Sequence, residues 1–191
     1  MGKWKPRHSA AYYAAVTKEG NPAHYNRPNW ENRKTFVKET RPTVQNLNVL
    51  QNSGFIKGAY TDYKSPNPRD FHADHGVALK EAWQSGGYKW KPEKKNQYAH
   101  DVSVIVMSEA KVNKDKGYKG PNKWLPPKNI SQYLLKREAT KIKYNLTSNK
   151  EEAAVFQKHI GRMPNVKISP KVEKTKYCAS CHVNHATGKH K

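Results

Sequence analysis

The sequence predicts a mostly irregular, extended chain with short α elements: an αα-hairpin in the C-terminal half and at most one or two short strands. Three observations lead there. Leu, Ile, Val and Phe together number 30 of 191 residues, below the roughly 20% at which high net charge goes with disorder. The charge is high, with 36 Lys+Arg against 15 Asp+Glu and a formal net charge of +21, and mean hydropathy is −1.05. Such a chain has little apolar surface to set against backbone entropy. Finally, only the stretch from 129 to 163 carries sustained helical spacing of apolar residues.

Residues 1–70 read as an extended, basic, Pro/Asn-rich arm. Asn21-Pro22, Arg27-Pro28, Arg41-Pro42 and Ser65-Pro66-Asn67-Pro68 are turn and extended-chain signals. Gly54 to Tyr60 is glycine-flanked and reads as extended. Residues 71–128 read as a short helix, a strand and a Lys/Gly/Pro loop. In this part Asp74 is placed to cap a helix over Gly76 to Trp83. Val102 to Met107 is β-branched and apolar on both faces, the pattern of a buried strand. Lys111 to Lys128 reads as loop.

Residues 129–163 predict the helical hairpin. Ile130 to Tyr144 has Leu134, Leu135 and Ile142 at helical spacing, with Asn129 or Ser131 as cap. Ser148-Asn149-Lys150-Glu151 has the form of a capping box. It opens a helix striped by Ala153, Phe156 and Ile160 and stopped by Gly161 and Pro164. Residues 164–191 read as a basic tail containing a CxxCH motif.

The chain has 5 Trp and 11 Tyr, and those rings need something to pack against. With few aliphatics, the reading is that they pack on a partner, and the charge makes that partner acidic. Of the basic residues 29 are Lys and 7 are Arg, which suits an acidic protein lattice as well as RNA. Lys3-Trp4-Lys5-Pro6 recurs as Lys89-Trp90-Lys91-Pro92 and more loosely as Lys123-Trp124-Leu125-Pro126. Trp4, Trp90, Trp124, Tyr60 and Tyr63 are therefore the expected partner contacts. Chance in a Lys-rich chain is the bland alternative.

With those Trp-Pro elements and Asn52 to Tyr60, the chain resembles in style the microtubule inner proteins of cilia. The resemblance implies a non-enzymatic structural subunit that binds the tubulin lattice and neighbouring assembly subunits, in the cytoplasm or cytoskeleton. No apolar run approaches a membrane span, and no cofactor is expected on this reading. No phosphate loop, dinucleotide fingerprint, nucleophile elbow or H-E-x-x-H occurs.

The tail supplies two alternatives. Cys178, Cys181 and His182 spell C-x-x-C-H, which resembles the haem attachment site of c-type cytochromes. This implies covalent haem c, His182 as axial ligand, electron transfer to an acidic partner and a periplasmic location. Met163, Met107 or another histidine would be the sixth ligand. Cys178, Cys181, His185 and His190 instead give C-x2-C-x3-H-x4-H, a four-ligand set for structural zinc, as in an RNA-binding or mitochondrial ribosomal protein. Phe71-His72-Ala73-Asp74-His75 places two His and an Asp close together and could hold a metal. Helix capping by Asp74 and surface polarity are the simpler explanation.

Overall fold

The computed structural model describes Tyr25, residues 30–169 and two short strands at 176–177 and 184–185. The fold class expected from the sequence is overturned. Helices occupy more than half of residues 30–169, joined to short two-stranded sheets in a mixed α/β body. The sequence estimate counted Leu, Ile, Val and Phe as core formers and left out Trp and Tyr. The aromatic residues fill the core instead.

The supposed extended arm is helical from 33 to 51. Helix α1 (Arg33–Thr35) is capped by Asn32, whose side chain accepts from the amides of Lys34 and Thr35. It runs through a π segment (Phe36–Thr40) into α2 (Arg41–Gln51). Pro42 lies inside this continuous run. Its ring and missing N–H conflict with α geometry behind it, and the wider π turn, closed by the Arg41 amide on the Phe36 carbonyl, accommodates it.

Strands β1 (Ile56–Lys57) and β2 (Lys64–Ser65) form a small antiparallel pair. The central unit follows: β3 (Phe71–His75) pairs antiparallel with β4 (Ile105–Glu109), in register Asp74↔Val106 and His75↔Ile105. Between them lie α3 (Leu79–Gln84) and α4 (Pro92–His100). Helix α5 (Ala110–Lys116) leaves β4 without a linker and ends at Gly117, whose φ of +52° suits glycine. Helices α6 (Ile130–Tyr144) and α7 (Lys150–Ile160) complete the body. The last pair, β5 (Lys176–Tyr177) and β6 (Asn184–His185), is antiparallel. No helix among the described residues is long and apolar enough to cross a membrane.

Several local expectations change. Asp74 is a strand residue and caps nothing. Val102–Val104 is a 3-10 turn, so the strand starts at Ile105. Part of the expected 111–128 loop is helix α5. Asn129 makes no capping bond, and its amide donates to the carbonyls of Ala59 and Thr61 instead. Helix α7 is capped one residue later than the capping-box reading, by Asn149 on the Glu152 amide at 2.7 Å.

The larger core cluster gathers Trp30, Phe36, Ile56, Phe71, Trp90, Tyr98, Met107 and Tyr144 with smaller apolar residues. Tyr98 meets Tyr144 edge-on at 4.8 Å, and Trp90 lies 5.5 Å from both Trp30 and Tyr98. Such pairs add roughly 0.5–1.5 kcal/mol each beyond their burial. A second cluster joins Tyr60, Trp124, Tyr133, Leu134 and Phe156. Tyr60, Trp90 and Trp124 are thus core residues and not free partner contacts. Tyr63 is exposed, and Trp4 lies outside the described residues.

Asp101 ties the turn before β4 to the end of α6. It accepts from the Ser103 amide, the Tyr144 hydroxyl at 2.6 Å and the Lys143 ammonium at 2.6 Å. Burial alone would raise its carboxyl, but those hydrogen bonds outweigh it and hold the pKa at about 2, against 3.8 ordinarily. At about 1.4 kcal/mol per pKa unit, discounted because the carboxyl is partly solvated and the Lys143 side chain is half exposed, this contributes about 1 kcal/mol at neutral pH. The folded pKa is depressed, so the contribution is present above pH 4 and is lost as pH falls toward 2. Asp101→Asn should therefore cost about 1 kcal/mol in urea melts at pH 7, with the difference from the parent shrinking steadily below pH 4.

Candidate functional site

Strand alternation sets the site. In β3, His72 and Asp74 share one face with Val106 and Ser108 of β4, while Phe71, Ala73 and His75 share the other with Ile105 and Met107. Helix α5 places Asn113 and Lys116 three residues apart, on one side of the helix. The Asn113 amide nitrogen lies 3.3 Å from His72 Nδ1.

Lys116 is fully buried. Its ammonium lies 2.9 Å from Asp74 Oδ2 and 3.1 Å from Oδ1, and donates to the His75 carbonyl at 3.0 Å. Tyr60 donates to Asp74 Oδ2 at 2.6 Å. Burial, then the neighbouring Asp74 carboxylate, push the Tyr60 hydroxyl well above its ordinary pKa, so it stays a donor. The second lone pair of Asp74 Oδ1 has no donor among the described residues.

His75 is held on three sides. Its ring stacks between Phe36 and Tyr98, each 5.8 Å away. Its Nε2 lies 2.9 Å from the Ala99 carbonyl. A carbonyl only accepts, so Nε2 carries the proton and Nδ1 keeps its lone pair. Burial pulls the imidazole pKa below its ordinary value, outweighing the Ala99 bond that raises it. His75 is therefore neutral at pH 7 and a competent proton acceptor. His72 is also held low, first by burial and then by the charges of Arg41 and Lys114.

Asp74, His75 and Asn113 border a cleft of about 350 Å³ whose walls also include Lys80, Lys114 and Tyr118, while His72 lies outside its lining. The Lys80 ammonium sits 4.0 Å above the Tyr118 ring. The cleft joins metal-ligand side chains and a free imidazole nitrogen to cationic walls. Among the described residues no three His, Cys, Asp or Glu side chains gather to hold a metal. The nearest potential ligands are Asp74, whose Oδ1 keeps a lone pair beside Lys116, and His72 with the Asn113 amide that meets it. A set with one carboxylate fits a hard ion such as Mg²⁺ or Mn²⁺, which keeps several waters and takes further ligands from substrate phosphates.

The sequence reading named the His72-Ala73-Asp74-His75 run but explained it as capping and polarity, and it missed Asn113 and Lys116. The signal was present as His-x-Asp at strand period with His next to it, and as Asn-x-x-Lys on a short helix. Of the tail residues, Cys178, Cys181, His182 and His190 lie outside the described residues. His185 falls in β6, opposite Lys176.

No protein-family model matches the chain, and no solved structure matches it. A protein of Arthroderma benhamiae, described as an uncharacterized secreted protein, is 32% identical over 91 residues. The match covers 46% of this chain and 45% of the relative, so the chain spans less than half of that relative's length. That description overturns the cytoplasmic and ciliary placement expected from the sequence. That placement came from the stylistic resemblance to microtubule inner proteins.

Lys116→Met should test the buried pair. It leaves the Asp74 carboxylate desolvated with only Tyr60 to satisfy it, a change that typically costs about 3–5 kcal/mol. The loss should show as a lower urea midpoint with an unchanged slope.

Proposed function

We propose that this chain is a divalent-metal-dependent phosphodiesterase acting on nucleic acid. The observation that carries the reading is a lysine-walled cleft lined by Asp74, His75 and Asn113, with the Nδ1 lone pair of His75 free and His72 in contact with Asn113. The net charge of +21 supports a polyanionic substrate. The relative's description as a secreted protein supports action outside the cell.

The chemistry follows from the residues. His75 Nδ1 takes a proton from a water as the water oxygen attacks phosphorus. The phosphorus–oxygen ester bond breaks, and the leaving alkoxide is protonated from solvent. A bound Mg²⁺ or Mn²⁺, held by Asp74, Asn113 and His72, would neutralise charge on the phosphoryl oxygens. Lys80 and Lys114 draw the backbone into the cleft. The stacked rings of Phe36 and Tyr98 and the Ala99 carbonyl keep His75 in one orientation, so little reorganisation is needed at the moment of attack.

The test is cleavage of plasmid and of labelled oligonucleotides with Mg²⁺, with Mn²⁺ and with EDTA. Metal-dependent cleavage should appear and EDTA should abolish it. His75→Ala should lower the rate about 10²–10⁴-fold, the usual contribution of a general base, with affinity for the oligonucleotide kept. No cleavage with either ion, or equal cleavage by His75→Ala, would overturn the reading.

A further inference from the structure

Tyr118 lines the same cleft as Asp74 and His75, and so do Lys80 and Lys114. The tyrosine is 55% exposed, and among the described residues its ring meets no other ring. Its backbone is fixed on both sides. Lys116, two residues earlier, is buried on Asp74. The Lys119 amide closes the turn on the Lys116 carbonyl at 3.0 Å, and the Lys119 ammonium lies 3.1 Å from Asp115. Facing the ring is Lys80 of α3, whose neighbours Leu79 and Glu81 are both buried. Its ammonium lies 4.0 Å from the ring centroid. Among the described residues neither Lys80 nor Lys114 makes an ion pair.

A single exposed tyrosine is ordinary on a protein surface. This one is set apart by its place, in a cleft with two unpaired lysines and a free imidazole nitrogen. Lys80 covers one face of the ring, and an exposure of 55% requires that much of the other face be open. An aromatic face beside cations is how proteins hold a single strand: bases stack on the ring while the charge tracks the backbone. A duplex cannot use such a face, because its bases are stacked on one another and show only their edges in the grooves. The cleft, at about 350 Å³, is near the lower end of the roughly 300–1,000 Å³ of small-ligand sites. That is room for one unpaired nucleotide.

We infer that the cleft selects single-stranded nucleic acid, with one unpaired base stacked on Tyr118 and the adjoining phosphates held by Lys80 and Lys114. The inference rests on the nucleic-acid reading above and names the form of substrate that the site takes. Every base has a π-face, so the stack selects strand form without selecting sequence.

The test uses the full chain and one labelled oligonucleotide, single-stranded or annealed to its complement, with binding followed by fluorescence anisotropy over a range of salt in EDTA. The parent should bind the single strand more tightly than the duplex. Tyr118→Ala should weaken single-strand binding about 5- to 150-fold, the range for one lost base–aromatic stack, and leave duplex binding unchanged. Tyr118→Trp should keep the single-strand affinity, and Tyr118→Leu, apolar without a π-face, should not. Stacking releases no counterion, so Tyr118→Ala should keep the slope of log affinity against log salt. Lys80→Ala should flatten that slope by about 0.7 on the single strand. A folded Tyr118→Ala variant with the parent's single-strand affinity, or one weakened equally on both forms, would overturn the stack while leaving the nucleic-acid reading in place. Equal parent affinity for the two forms would overturn the strand selection in the same way. If the parent chain binds neither form, both the inference and the reading it rests on fall.

Discussion

The buried contact between the Lys116 ammonium and the Asp74 carboxylate is the constraint on which the rest of the site depends. It joins α5 to β3 across the central unit. Through Tyr60 it also ties that unit to the second aromatic cluster. Buried ion pairs add little net stability, because desolvation offsets the attraction. Their value here is geometric. With Lys116 fixed, Asn113 one turn earlier has to meet His72, and the His75 carbonyl is pinned by the same ammonium. A hydrophobic pair of the same volume would hold the helix but would leave its rotation less closely set.

A second buried network does the same for the far side of the body. Glu81, Arg137, Lys141 and Glu152 are all buried. Lys141 lies 2.7 Å from Glu152 and 3.4 Å from Glu81, and Arg137 pairs with Glu81 while donating to the Gly76 carbonyl. Burial of Glu81 would raise its carboxyl, and the adjacent Arg137 and Lys141 charges turn the balance downward. Gly76 follows His75, so this network braces the end of β3 as Lys116 braces its middle. Several acidic residues are thus used internally against basic ones. What remains outside is a surplus of lysine, which is why a chain with an ordered core still presents a strongly cationic exterior.

The fold was legible where local signals are sufficient and hidden where they are not. Leu134 with the residues around it, and the polar cap before Glu151, mark α6 and α7 because capping and helical spacing are local chemistry. The run from Phe36 to Gln51 was misread because Pro42 ordinarily breaks a helix. Only the π turn before it lets the helix continue, and nothing in Phe36 to Thr40 announces such a turn. The aromatic residues were assigned to a partner because Trp90, Trp124 and Tyr60 lie far apart in sequence. They become core only through contacts with Tyr98, Tyr144 and Tyr133. The site was half legible. The His72, Asp74 and His75 spacing is visible in one short strand. Asn113 and Lys116 join it only through the pairing of β3 with β4, which brings together segments some forty residues apart.

The most direct measurement of the central claim is a titration of the intact chain with Mn²⁺, followed by electron paramagnetic resonance. Mn²⁺ is a hard ion that favours oxygen and imidazole donors over the thiols of the tail. One saturable Mn²⁺ per chain is expected, competed by Mg²⁺ and lost in a folded Asn113→Ala variant. Saturable binding that Asn113→Ala leaves unchanged, or none in the parent chain, would contradict the account and reduce the central unit to a structural support.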